Sequence, residues 1–348
     1  MQKVSIVGLG LIGGSIGLGL KQWSAENAKS GQAPLEVTGF DLNLEHQSRA
    51  KKMGAVDRTE WELRKAVADA DLVILSTPVV IMKEIMSDIG PLLKHGTVIT
   101  DTASTKHDVL QWAKELLPTT VDFVGGHPMA GKSESLDGAE AGLFRGATWC
   151  VTPSLTASDE AVRTVLGMVA ALGAEAFFVD PQEHDAFVAG VSHLPFVVSA
   201  AIMNALTADP AWKDMKTLTA GGFRDVTRLA SGSPTMHRDI TLTNRESIDR
   251  WVTALVNQLE TFQDYLRNTD DASEEQIEKF FTDALDRRAE WAVQTSREAE
   301  LLGTGASDAS KDGLGDQMSR MFLGGFMRKK RLPSGADASK NGTTTNKR

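Results

Sequence analysis

Residues Val4 to Ser15 read VSIVGLGLIGGS. A short β-branched run stops at Gly8, and Gly8, Gly10 and Gly13 fall where a strand gives way to a helical stretch. Each glycine has its own physical task in such a turn. The first permits the tight turn, the second lets the backbone approach a pyrophosphate, and the third allows helix and strand to pack closely. The phosphates then lie at the helix N-terminus, where unpaired amides and the helix dipole favour anions. A glycine triplet alone is a weak signal, and its strand-then-helix setting is what gives it weight. Gly8, Leu9, Gly10, Leu11, Ile12 and Gly13 are therefore the expected cofactor contacts.

Outward from this loop, the next strand ends in VTGFD. Asp41 stands where a carboxylate would bond the ribose hydroxyls and repel a 2'-phosphate, which favours NAD over NADP. The polar stretch SAENAKSGQAP accounts for the extra distance between the glycines and Asp41. LSTP, Leu75 to Pro78, closes another strand at the same sheet edge, making Thr77 and Pro78 expected walls of the cofactor site.

The remaining strands are expected at Lys3 to Val7, Glu36 to Phe40, Leu72 to Ser76, Val98 to Asp101, Asp122 to Gly125, Ala147 to Thr152 and Ala176 to Val179. A continuous apolar run such as DLVILS implies burial on both faces, hence a mostly parallel sheet covered by helices. From Pro181 the strand pattern stops and helical periodicity takes over. Ile248, Trp251, Val252, Leu255, Val256, Leu259, Phe262 and Leu266 form an apolar stripe that suits either internal core or a helical dimer interface. The expected class is α/β: a doubly wound Rossmann-type domain over residues 1–180, then an all-helical dimerisation domain over 181–301. Residues 302–348, rich in Gly, Ser, Asp and Lys with a basic cluster at Arg328 to Arg331, read as a solvated tail.

The chain has 348 residues, enough for two domains and a large core, with 41% hydrophobic and 24% charged residues. A net charge of -9 argues against nucleic acid as the main partner and for a small-molecule substrate. The single cysteine, Cys150, excludes an internal disulfide framework and a multi-cysteine metal site, and its apolar setting suits a packed thiol. No charged-then-apolar leader opens the chain, and no continuous apolar stretch is expected to reach the roughly 18 residues of a membrane span. A cytoplasmic protein without a bound metal is expected.

Other stretches concentrate polar residues: DTASTK (Asp101 to Lys106), GGHPMAG (Gly125 to Gly131), EHDAFVAGVSHLPF (Glu183 to Phe196) and GGFRDVTRLASGSP (Gly221 to Pro234). His127, between a glycine pair and a proline, reads as lying in chain too irregular for helix or strand, which marks it as a candidate for chemistry. Taken in order with GLGLIGGS, these stretches resemble the prephenate and arogenate dehydrogenase family of tyrosine biosynthesis, from Met1 to about Trp251.

The resemblance implies oxidative decarboxylation of a cyclohexadienol with hydride transfer to NAD, at a cleft between a dinucleotide-binding domain and a helical dimerisation domain. It assigns His127 as the catalytic histidine, with Ser104 hydrogen-bonded to it near the nicotinamide. It assigns Arg228 to a substrate carboxylate, Arg224 to a gate with an acidic partner for which Glu134 is the nearest candidate, and His184 and His193 to the pocket lining. The chain departs from the family's pattern at Phe196 and His237, where relatives often have histidine and tryptophan. Both positions face the substrate side chain in relatives, so they bear on the choice between prephenate, the favoured substrate, and arogenate. Other readings of the same sequence are a 3-hydroxyacid dehydrogenase, a non-catalytic NAD-sensing dimer and an adenosyl-dependent methyltransferase.

Overall fold

The computed structural model describes residues 2–29, 31, 33–132, 134–268 and 271–301. Eight strands form one sheet in the order β3-β2-β1-β4-β5-β6-β7-β8. They are β1 (Lys3–Val7), β2 (Glu36–Phe40), β3 (Arg58–Thr59), β4 (Leu72–Leu75), β5 (Val98–Asp101), β6 (Asp122–Pro128), β7 (Thr148–Pro153) and β8 (Glu175–Phe178). The pairings from β3 across to β6 are parallel, β6 and β7 are antiparallel, and β7 and β8 are parallel to each other. The carboxyl ends of β1, β2, β4, β5 and β6 therefore share one edge, and the strand order reverses between β1 and β4, where open sheets of this kind bind ligands.

Strand alternation explains the two apolar layers. Along β4, Leu72 and Ile74 join Ile16, Trp149 and Val165 on one face, while Val73 and Leu75 join Met82, Met86 and Val109 on the other. The first face is covered by α1 (Leu11–Ala28) and α6 (Asp159–Ala171), whose N-cap Ser158 accepts a hydrogen bond from the Ala161 amide. The second carries α4 (Val79–Ile89) and α5 (His107–Leu116). The short helices α2 (Leu44–Met53) and α3 (Leu63–Val67) flank β3.

Two sequence expectations need correction here. Strand β6 does not stop at Gly125 but runs through His127 to Pro128, with His127 opposite Cys150 in β7. The glycine pair hides the strand from a propensity reading yet is what lets it form. A Cβ on Gly125 would lie 2.3 Å from Thr152 Oγ1, and one on Gly126 would lie 2.6 Å from the Asp101 carbonyl oxygen.

The second correction concerns membrane-length helices. Helix α7 (Pro181–Val188), a π-type turn at Ala189–His193 and α8 (Leu194–Thr207) run on as one helix, Pro181–Thr207, long and apolar enough to cross a membrane by length and composition. Its His184, Asp185 and His193 are buried and bonded to protein groups, which ties this helix to the folded unit. The π-type turn has a local cause. Pro195 has no amide proton to give to the turn before it, so the ladder widens.

Further on lie α9 (Trp212–Met215), α10 (Gly221–Thr227), a 3-10 turn at Arg228–Ser231, α11 (Pro234–Thr243) and α12 (Arg245–Arg267). The expected apolar stripe lies on α12, but of its residues only Ile248 is buried, and Val256, Leu259 and Leu266 are exposed. The described residues up to 274 pack as one unit, and the described residues from 275 onward form a second. The second contains most of α13 (Asp271–Leu301), with an ion pair between Lys279 and Asp283 and the Arg288 guanidinium over the Trp291 ring. The tail expected at residues 302–348 lies outside the described residues.

Candidate active site

The glycine loop occupies the switch point. Gly8 has φ +95°, and a Cβ there would stand 2.2 Å from the Ser76 carbonyl oxygen, so only glycine fits. A Cβ on Gly13 would lie 1.9 Å from the Gly8 carbonyl oxygen, which records the close approach of α1 to the loop. Around Gly10, in contrast, the space is open. Gly10 caps α1 without a side-chain hydrogen bond, which leaves the first amides of an 18-residue helix free for an anion.

Asp41 follows β2. Its Oδ2 accepts a hydrogen bond from the Leu9 amide at 2.7 Å and lies 3.5 Å from His46 Nδ1, and its Oδ1 accepts one from the Asn43 amide. The Leu9 side chain is fully buried, so the backbone alone of this residue faces the loop. Thr77, whose Oγ1 is buried without a partner among the described residues, abuts Gly8, and Pro78 caps α4. An open cradle of free amides with a carboxylate beside it fits a dinucleotide.

The second part of the site is a file of buried polar side chains at the ends of β5 and β6. His127 Nδ1 lies 2.9 Å from His184 Nε2, and His184 Nδ1 lies 2.8 Å from Asp185 Oδ1. The Asp185 carboxylate also accepts the amides of Lys106 and His107 at the start of α5. Asn244, between α11 and α12, directs its amide nitrogen to the Asp185 carbonyl oxygen at 2.8 Å and to His193 Nδ1 at 3.3 Å. His193 Nδ1 is thus an acceptor, and the His193 proton sits on Nε2, which is buried without a partner among the described residues.

Beneath this file the Lys106 ammonium is fully buried. It pairs with Asp101 and donates to the Gly126 carbonyl oxygen at 2.8 Å. Burial, reinforced by repulsion from His184, Lys106 and His193, holds His127 well below the usual 6.5. Burial likewise pushes His193 down to about 4, against the pull of Asp185. Both rings are neutral at physiological pH. His127 is buried, yet its Nε2 has no hydrogen-bond partner among the described residues, so a basic nitrogen remains for a ligand.

From His193 the file passes to Phe196, with ring centroids 5.8 Å apart, and then to His237, stacked on Phe196 at 4.3 Å and 4°. His237 packs against Gly232, in the chain that follows the Arg228 turn, and the Ala230 amide donates to Ser199 of α8. The two departures from the family pattern are therefore one stacked pair. They form a single imidazole-on-phenyl wall.

Three expectations fare differently. Ser104 is half-buried in the bend after β5 and makes no hydrogen bond to His127, whose Nδ1 is taken by His184. Arg224 and Arg228 are exposed and form no ion pair with any described residue, so Glu134 is not the partner of Arg224 here. His184 has both ring nitrogens committed to protein groups and keeps no polar atom for a substrate. Sequence reading missed Lys106, Asp185 and Asn244. The first two lie inside the stretches DTASTK and EHDAF, where clustering with Asp101 and His184 was the available signal.

Known proteins match the two parts of the chain in order. Residues 25–178 match the family model for the prephenate dehydrogenase nucleotide-binding domain, and residues 180–282 match that for the prephenate dehydrogenase dimerization domain. The prephenate dehydrogenase of Bacillus subtilis is 33% identical over 294 residues, covering 82% of this chain and 75% of the relative. Among solved structures, prephenate dehydrogenase from A. aeolicus in complex with hydroxyphenyl propionate and NAD+ superposes with a TM-score of 0.75 at 27% identity, over 83% of this chain and 98% of that one. Synechocystis arogenate dehydrogenase gives 0.68 at 25% identity, over 83% of this chain and all (100%) of the other. With matched models along both halves and a relative this similar over three-quarters of its length, the chain belongs to the prephenate dehydrogenase family.

Proposed function

We propose that this chain oxidises and decarboxylates prephenate with NAD, giving 4-hydroxyphenylpyruvate, carbon dioxide and NADH. The observation that carries the reading is His127: a neutral, buried imidazole with a free Nε2, at the strand edge it shares with an open glycine cradle. NAD, held by the free α1 amides and Asp41, supplies the hydride acceptor. As hydride leaves the ring carbon that bears the hydroxyl, His127 takes the hydroxyl proton, for which its ring is kept neutral and its Nε2 open. The bond to the ring carboxylate then breaks, its electron pair completes the aromatic ring, and the new phenol oxygen recovers a proton.

Substrate roles follow from what each group has free. Arg228 and Arg224, exposed and without ion pairs among the described residues, offer guanidinium forks to the two carboxylates of prephenate. His193 offers its Nε2 proton, Ser104 a hydroxyl beside the nicotinamide, and His237 a polar edge on the stacked wall. Residues 1–180 form the NAD-binding part and residues 181–301 the substrate and dimerisation part. A second copy covers the apolar helix faces that this unit leaves open. Phe187, Val191, Val256 and Leu259 are exposed, and 28% of the apolar window of Pro181–Thr207 is buried, which suits a homodimer interface better than a solvated surface. The cytoplasm is the proposed location.

The test is NADH formation with purified protein, comparing prephenate with arogenate and NAD with NADP. Turnover of prephenate with NAD is expected to exceed the other pairings. Turnover of arogenate alone would make this an arogenate dehydrogenase whose Phe196–His237 wall selects the amino acid side chain, and silence with all pairings while NAD binds would end the reading.

A further inference from the structure

Among the described residues, the cavity between α1 and α6 and the exposed β8 edge hold no ordered set of donors and acceptors like that of the buried polar file. We infer that His184 and Asp185 are positioning residues that fix the tautomer of His127, leaving its Nε2 bare toward the substrate. The inference rests on the reading of His127 as the base and goes beyond it by saying what makes this ring one.

The Asp185 carboxylate accepts the amides of Lys106 at 2.7 Å and His107 at 2.9 Å, so its oxygens are set as acceptors. His184 Nδ1, 2.8 Å from the same Oδ1, must then carry a proton and donate. With His184 neutral, as the proposal takes it, its Nε2 is bare, and it is this atom that faces His127 Nδ1 at 2.9 Å. His127 Nδ1 must therefore donate in turn, and its own Nε2 is the acceptor. Each step follows from the last, and the first is anchored by two backbone amides at the start of α5.

The opposite tautomer would put a proton on His127 Nε2 and leave Nδ1 facing His184 Nε2, two lone pairs in contact inside a buried site. This arrangement matches in logic the carboxylate that orients a catalytic histidine in serine proteases, which does not itself become protonated. Here a second imidazole is interposed. His184 therefore holds the base rather than the substrate, because neither of its nitrogens is free.

The experiment has two arms on the full-length chain. In the first, the ring nitrogens of 15N-histidine-labelled wild-type protein are observed by NMR near neutral pH, with His127 assigned by its loss in His127→Asn. A proton on His127 Nδ1 and none on Nε2 is expected, and a proton on Nε2 would overturn the inference. This arm needs no turnover, so an inactive chain with the expected tautomer would sink the proposed reaction while the tautomer assignment stands.

In the second arm, His184→Phe keeps the ring volume and removes the acceptor. The expected result is a fall in kcat of about 10²-fold, within the usual contribution of a positioned acid or base, with the KM values for NAD and prephenate unchanged and the His127 signals averaged between tautomers. An unchanged kcat with a raised KM would show His184 to be a substrate contact and would overturn the inference.

Discussion

The glycine cradle and the histidine file stand at the same edge of one sheet, yet they are built in opposite ways. The cradle is backbone. Gly8 turns because φ is +95°, Gly13 lets the helix close on the loop, and the groups offered to a ligand are the free amides of α1. The file is side chain. His127 from β6 meets His184 and Asp185 from α7, Asn244 from the α11–α12 junction and His193 from the π-type turn. The cradle takes its chemistry from what is left unpaired at a helix end, whereas the file takes its chemistry from an ordered chain of donors and acceptors. A cradle for a common cofactor can thus rest on local conformation, while the proposed base needs long-range assembly.

The sharpest way to break this comparison is His127→Asn. Turnover should fall on the order of 10²- to 10⁴-fold, the usual contribution of a positioned base, while NAD binding followed by calorimetry stays as it was. A matching loss of NAD affinity would mean that cradle and file are not separable.

Next in size is the floor of the file. Lys106→Met leaves Asp101 buried without its countercharge, and removing one partner of a buried pair typically costs about 3–5 kcal/mol. Chemical denaturation should show that loss, and a change below about 1 kcal/mol would mean that the site relaxes or admits water.

Two glycine substitutions then separate folding from binding within the cradle. Gly8→Ala forces a Cβ against the Ser76 carbonyl at a strained φ and should lower stability by about 1–3 kcal/mol in thermal melts. Gly10→Ala meets no protein atom, so it should leave the melting temperature unchanged and weaken NAD by about tenfold, roughly 1.4 kcal/mol. Equal effects of the two would erase the distinction.

The smallest and most graded effect is with pH. His127 and His193 have folded values below the ordinary 6.5, so as pH falls the unfolded chain takes up protons first. Stability carried by these rings is complete above about 6.5 and is lost as pH drops toward the folded value, about 4 for His193. Melting temperature measured across this range should decline with acid, and the decline should shrink in His193→Phe. An acid-insensitive melt would mean that these rings are not held neutral in the fold.

The sequence by itself determined the class of the sheet, because continuous apolar runs and a glycine loop are local properties of neighbouring residues. It also offered the candidate residues of the proposed reaction: His127 and Asp41 stand out within short motifs, and the two arginines enter through the family resemblance. What it concealed was that His127 lies within a strand. Glycine reads as a strand breaker, and here it is required by the crowding of Thr152 and Asp101.

Only the tertiary structure decided that Ser104 does not bond His127, that His184 is committed on both nitrogens, and that Phe196 and His237 stack into one wall. Those facts join residues tens of positions apart, such as His127 and His184, which are 57 apart in the chain. Composition and spacing report what a residue can do, but the direction of a hydrogen bond is fixed by whichever donor or acceptor the fold brings to the other side.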